Sequence, residues 1–89
     1  MTTPLPRLAP GVRLAYDKQR DAWILQAPER VIQLDSVGAA VLALVDGKTA
    51  PDAISATLAE EYDAPLEDIT VDVEQLIADL VGRGLMVLR

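Results

Sequence analysis

Residues Glu29–Val37, ERVIQLDSV, decide how this chain is read. Val31, Ile32 and Leu34 form a short β-prone run, because branched side chains fit a pleated surface. The run stops at Asp35-Ser36, and beyond it the spacing changes from two to about 3.6. In SVGAAVLALVDG, Val37, Val41, Leu44 and Val45 recur at helical intervals with Ala40 on the same side. Either Asp35 or Ser36 can accept bonds from the first free amides of that helix, and Gly47 can take the left-handed position beyond its end. The boundary between strands and helices therefore falls here.

Working back from this boundary, AWILQA is a second strand, closed by Pro28-Glu29. VRLAYD is the first in chain order, which makes RVIQL the third, with Val12, Leu14 and Tyr16 alternating against Arg13, Ala15 and Asp17. The charged turn DKQRD joins the two. PLPRLAPG before them is an extended lead-in over residues 1–10, since proline removes donors and the residue before it avoids the helical region. Residues 11–89 make the single domain.

Working forward, TAPDAISATLAEEY restarts a helix, with Thr49 as its cap, Pro51 in the first turn and Ile54, Leu58 and Tyr62 on one stripe. A third helix, around Glu67 to Gly82, places Ile69, Val73, Leu76, Ile77, Leu80 and Val81 on its apolar side, flanked by Asp72, Gln75 and Asp79. Thr70 is an alternative cap for it. LMVLR after Gly84 is an apolar tail that adds a strand or covers the core. The expected architecture is α+β: a three-stranded antiparallel sheet followed by three helices, winged-helix-like when packed compactly.

Composition narrows the function. Among 89 residues there is no cysteine and no histidine. The usual nucleophile, the usual general base and the usual transition-metal ligands are thereby missing. No loop has the alternating oxygen ligands of a calcium site. The chain is expected to bind rather than to catalyse. Its start lacks the apolar core of a signal peptide, and Ser36–Val45, the longest uncharged stretch, is too short to span a bilayer, so no membrane role and a cytoplasmic location are expected.

The net charge of −6 is uneven: Glu60–Asp79 holds eight acids and no base. A last helix bearing Glu67, Asp68, Asp72, Glu74 and Asp79 would repel phosphates, which argues against nucleic acid. That acidic face is either solvated surface or guidance for a partly basic partner.

Two chemical handles remain. LDSVGAAVL looks superficially like the serine site of acyl or peptidyl carrier proteins, which would make Ser36 a phosphopantetheine attachment point; strands before the serine and an uncharged helix after it favour a simple cap. The strand VIQL carries no charge between Arg30 and Asp35. It is therefore either interior to the sheet or an open template to which a peptide adds as a further strand. In the second case a proline at Ile32 or Gln33 should weaken binding if that residue's amide bonds the guest.

The order and spacing of several elements resemble the PqqD family of pyrroloquinoline quinone biosynthesis. They are Pro28-Glu29, Leu34 before a helix cap, the apolar helix, Asp46-Gly47, Asp72-Val73 followed by Leu76-Ile77 and Leu80, and RLAPGVRLAYD upstream. The resemblance covers about Arg7 to Met86; Ala27, Asp35 and Leu85 depart from the residues expected at their positions. It implies a RiPP recognition element, a peptide chaperone without cofactor, metal or catalysis. Such a protein holds a PqqA-like precursor peptide, which contains the glutamate and tyrosine to be cross-linked, and delivers it to a PqqE-like radical S-adenosylmethionine enzyme. The resemblance further implies that the leader adds to the third strand, at Arg30, Val31, Ile32, Gln33 and Leu34. Asp72, Val73, Leu76, Ile77 and Leu80 of the last helix would form the opposite wall, some of them serving the core. A strand edge that accepts a peptide also allows a homodimer.

Overall fold

The computed structural model describes residues 4–89. Residues 1–3 of the expected lead-in lie outside it. In chain order the elements are β1 (Pro6–Leu8), β2 (Arg13–Asp17), β3 (Ala22–Gln26), β4 (Val31–Gln33), α1 (Ser36–Ala43), α2 (Pro51–Glu61), α3 (Leu66–Gly82) and β5 (Met86–Leu88). The expected three-stranded antiparallel sheet is present, in the order β2-β3-β4, and three helices follow it. The winged-helix likeness is a loose one, because a second sheet is added.

That second sheet pairs the two ends of the domain. β1 and β5 run antiparallel with Pro6 opposite Leu88, Arg7 opposite Val87 and Leu8 opposite Met86. The lead-in is thus a strand, not a plain extended segment. Proline fits here because the ladder bonds fall on its neighbours: Leu5 and Arg89 exchange amide–carbonyl bonds of 2.7 and 3.0 Å. The position of Pro6 faces away from β5, so its missing donor costs nothing, and its carbonyl accepts from the Gly47 amide at 3.1 Å. Gly47 holds a φ of +77°, as its place after α1 requires.

Local chemistry fixes the helix ends. Asp35 caps α1, its carboxylate accepting from the Gly38 amide at 2.7 Å. Thr49 does not cap α2. The capping position is Ala50, without a side-chain bond, and Thr49 instead joins a turn closed by Asp46. The Asp46 carboxylate takes the Lys48 and Thr49 amides at 2.8 and 2.9 Å and the Thr49 hydroxyl at 3.2 Å. An aspartate two residues before a free amide closes such a turn more readily than threonine reaches past Pro51. Pro65, not Thr70, stands at the start of α3, with Glu67 and Asp68 in its first turn, where carboxylates complement the helix dipole. At its end, Gly84 at φ +75° lets Leu85 donate back to the Leu80 carbonyl at 2.9 Å and turns the chain into β5.

The core is aliphatic: Leu25, Val41, Leu42, Ile54, Leu58, Val73, Ile77, Leu80, Leu85 and Met86 cluster between the β2-β3-β4 sheet, the helices and β5. All three aromatic residues stay outside it. Tyr62, expected on the α2 stripe, follows the last helical residue and is 53% exposed, while Tyr16 and Trp23 are each 44% exposed. Val37 and Val81 are also exposed despite their helical spacing. In α1 every side is apolar or small, so periodicity could not choose the buried side; packing on the sheet chose Ala39, Val41 and Leu42. Among the described residues no helix is long and apolar enough to cross a membrane.

Candidate peptide-binding site

β4 is an edge strand, paired with β3 on one side and, among the described residues, with no strand on the other. Its register decides which backbone groups stay free. Gln26 lies opposite Val31, Leu25 opposite Ile32 and Ile24 opposite Gln33. Bonds from Ala27 to Arg30 and from Leu34 to Trp23, both 2.9 Å, mark the hydrogen-bonded pairs at each end. Antiparallel pairs alternate, so Ile32 exchanges its bonds with Leu25, while the N–H and C=O of Val31 and Gln33 point outward. Two residues on β4 therefore offer a donor and an acceptor each. The 43% exposed Val31 and the exposed Gln33 put their side chains on the solvent face, whereas Ile32 packs against the core.

Both ends of this strand meet α3. Before it, the Arg30 guanidinium donates to the carbonyl of Arg83 at the helix end. After it, Asp35, Val37 and Gly38 face Asp72, Gln75, Leu76 and Asp79 across a groove of about 390 Å³. The floor is apolar, from Val37 and the half-buried Leu76, and the rim is acidic. Two rim carboxylates have partners: Asp35 holds the α1 amide, and Asp79 pairs with Arg83 at 3.2 Å. Asp72 has no ion-pair partner among the described residues.

The expected site residues separate by burial. Arg30, Val31, Gln33 and Asp72 are exposed, and Ile32, Leu34 and Leu76 are half-buried. Val73, Ile77 and Leu80 are buried in the core. α3 thus turns one side, which carries these three, to the core and another to the groove. Sequence reading did not assign Val37, Gly38, Gln75 and Asp79 to the site. The signal was present, since Asp72, Gln75, Leu76 and Asp79 stand at i, i+3, i+4 and i+7 on one helical face. Ser36 is exposed at the first residue of α1, on the other side of that helix, beside Leu14 and Trp23. No group of three or more acidic, histidine or cysteine side chains is placed to hold a metal among the described residues.

Comparison with known proteins gives a consistent picture. The family model described as coenzyme PQQ synthesis protein D (PqqD) matches residues 22–86. A PqqA binding protein of Xanthomonas oryzae pv. oryzae (strain PXO99A) is 45% identical over 81 residues, covering 91% of this chain and 88% of that protein. The solution structure of the PqqD truncation of Methylobacterium extorquens PqqCD, a stand-alone RiPP recognition element, superposes with a TM-score of 0.81 at 38% identity. It covers 93% of this chain and 88% of its own. A lasso peptide synthetase B1, solved with its leader peptide, shares the fold with a TM-score of 0.78 at 20% identity, over 92% and 96% of the two chains.

Proposed function

This chain belongs to the family of coenzyme PQQ synthesis protein D, and on that premise we propose that it binds a PqqA-like precursor peptide by strand addition to β4. The observation that carries this reading is the open β4 edge, with the backbone of Val31 and Gln33 turned outward beside the Leu76–Val37 groove. A guest strand satisfies those four backbone groups, and its alternate side chains enter the groove. Arg30, Val31, Ile32, Gln33 and Leu34 form one side of the site, with Ile32 and Leu34 acting through the strand's position. Asp72 and Leu76 form the other, and Val73, Ile77 and Leu80 hold that helix face in place from the core.

The chain supplies no histidine or cysteine for catalysis, so its task is presentation. The guest is delivered to a PqqE-like radical S-adenosylmethionine enzyme, in the cytoplasm, where the precursor is made. The acidic rim guides a leader segment that carries basic residues. One added strand is a small interface, and an affinity in the micromolar range, about −8 kcal/mol, is expected. The same β4 edge could pair with a second copy only while no peptide occupies it.

The test is fluorescence anisotropy of a labelled precursor peptide titrated with this protein, against a scrambled peptide. Saturable binding of the true sequence alone supports the reading. Equal affinity for both peptides, or none for either at high protein concentration, overturns it. Failure of binding would return attention to Ser36, where a mass increase after treatment with a phosphopantetheinyl transferase would establish a carrier.

A further inference from the structure

A second groove, of about 640 Å³, lies on the far side of α3 from β4, and we propose that it docks an amphipathic helix of a partner protein, apolar along one side and basic beside that stripe. The contact does not depend on the peptide reading. Glu74, Ala78 and Val81 stand at i, i+4 and i+7 on α3, as Asp72, Leu76 and Asp79 do. The two sets are offset by two residues, about 200° round the helix, so they face opposite ways. Ile77 of the core forms the floor of the second groove, and Pro4, Pro51, Val81 and Leu88 form its walls.

This groove is a part of the core that the chain leaves uncovered. Val81 continues the apolar stripe of α3, and Leu88 points the same way along β5 as the buried Met86. Both side chains stand where the core would continue, yet they are 37% and 44% exposed. Single apolar side chains on a surface are ordinary, but these two converge on one hollow that reaches the buried Ile77.

The groove's own chemistry selects its occupant. Pro4 and Pro51 have no N–H, and the α3 wall has its backbone bonded within the helix, so an extended guest would find few partners for its amides and carbonyls. A helix brings its backbone bonds with it and offers an apolar stripe to such a groove. Ala78 and Gly82, one turn apart, make a flat strip on α3 that lets a second helix come close. The fold itself gives no reason for glycine at 82. Unlike Gly84, Gly82 has no positive φ, and a Cβ added there would meet nothing within 4 Å. The charged residues that line the groove are Asp52 and Glu74, both exposed and neither with an ion-pair partner among the described residues. Lysine or arginine beside the apolar stripe of the partner helix pairs with them.

The probe is a fluorescein-labelled amphipathic helical peptide of leucine and lysine, with a second peptide in which glutamate replaces lysine. In anisotropy titrations the lysine peptide should bind saturably and the glutamate peptide should not. Gly82→Lys adds bulk and like charge to the groove and should weaken binding about tenfold, and Glu74→Lys about threefold. Asp72→Lys, on the opposite side of α3, should leave it unchanged. Urea midpoints confirm that each variant is folded. Gly82→Ala should raise that midpoint, because alanine favours the helix and glycine serves no turn there, while it weakens binding. The proposal is overturned if the lysine peptide fails to bind, binds no better than the glutamate peptide, or responds to Asp72→Lys as strongly as to Gly82→Lys. A lower urea midpoint for Gly82→Ala also overturns it, since Gly82 would then serve the fold.

Discussion

At the scale of single residues, the β3–β4 register separates two neighbours that composition treats alike. The amide of Ile32 bonds Leu25 within the sheet, and the amide of Gln33 points to the open edge. Gln33→Pro should therefore spare the fold and weaken peptide binding roughly fivefold, the worth of one hydrogen bond of about 1 kcal/mol. Ile32→Pro should instead lower stability by about 1–3 kcal/mol, because it leaves a ladder carbonyl unpaired. Urea denaturation and anisotropy on the two variants check this; equal losses of affinity from two equally stable variants would refute the register argument. Asp46 offers a second test. The Lys48 amide, and after it the bonds from Thr49, outweigh some desolvation and hold the carboxyl below its ordinary 3.8. A depressed folded value means the stabilisation is complete above the ordinary value and is lost as pH falls below it toward the folded one. Asp46→Asn should flatten that acid limb in urea midpoints measured from pH 7 down to about pH 2.5, and an unchanged slope would deny the turn this role.

At the scale of elements, α3 serves two surfaces at once. Adjacent residues on it should respond in opposite ways. Ile77 is buried in the core, so Ile77→Ala should cost about 2–5 kcal/mol of stability. Leu76 lies half-buried on the groove floor, and Leu76→Ala should cost little stability but about tenfold in peptide affinity. If Leu76→Ala leaves the anisotropy curve in place, the groove does not receive guest side chains. The apolar stripe of α3 was legible from its 3.6-residue repeat, and so was the acidic flank beside it. Which flank faced β4 was not legible, because Asp72, Gln75 and Asp79 on one side and Glu67, Glu74 and the exposed Val71 and Val81 elsewhere are all compatible with water.

At the scale of the whole molecule, the pairing of β1 with β5 ties the domain's ends together over the core. Met86 is fully buried, and the backbone of Leu5 and Ala9 bonds Arg89 and Leu85. Removing Met86–Arg89 should thus cost more than a frayed tail would, on the order of 3 kcal/mol or more from the methionine and the lost ladder together. That is a large share of the 5–15 kcal/mol typical of a domain. A truncated chain with an unchanged urea midpoint would mean that β1 and β5 merely cover the surface.

The succession of three strands and three helices, a helix cap at Asp35-Ser36 and the lack of histidine and cysteine were determined by the sequence itself, because each depends on neighbours within a few residues or on composition alone. The β1–β5 pairing joins residues some eighty positions apart and leaves no local trace, since prolines near one end mask its strand. The choice of edge was likewise tertiary. VIQL reads equally well as an interior or an edge strand, and only the β2-β3-β4 order left the outward backbone groups of Val31 and Gln33 without a neighbouring strand among the described residues. A strand's own residues set its tendency to pair, but what lies next to it is fixed by the chain that folds back from elsewhere.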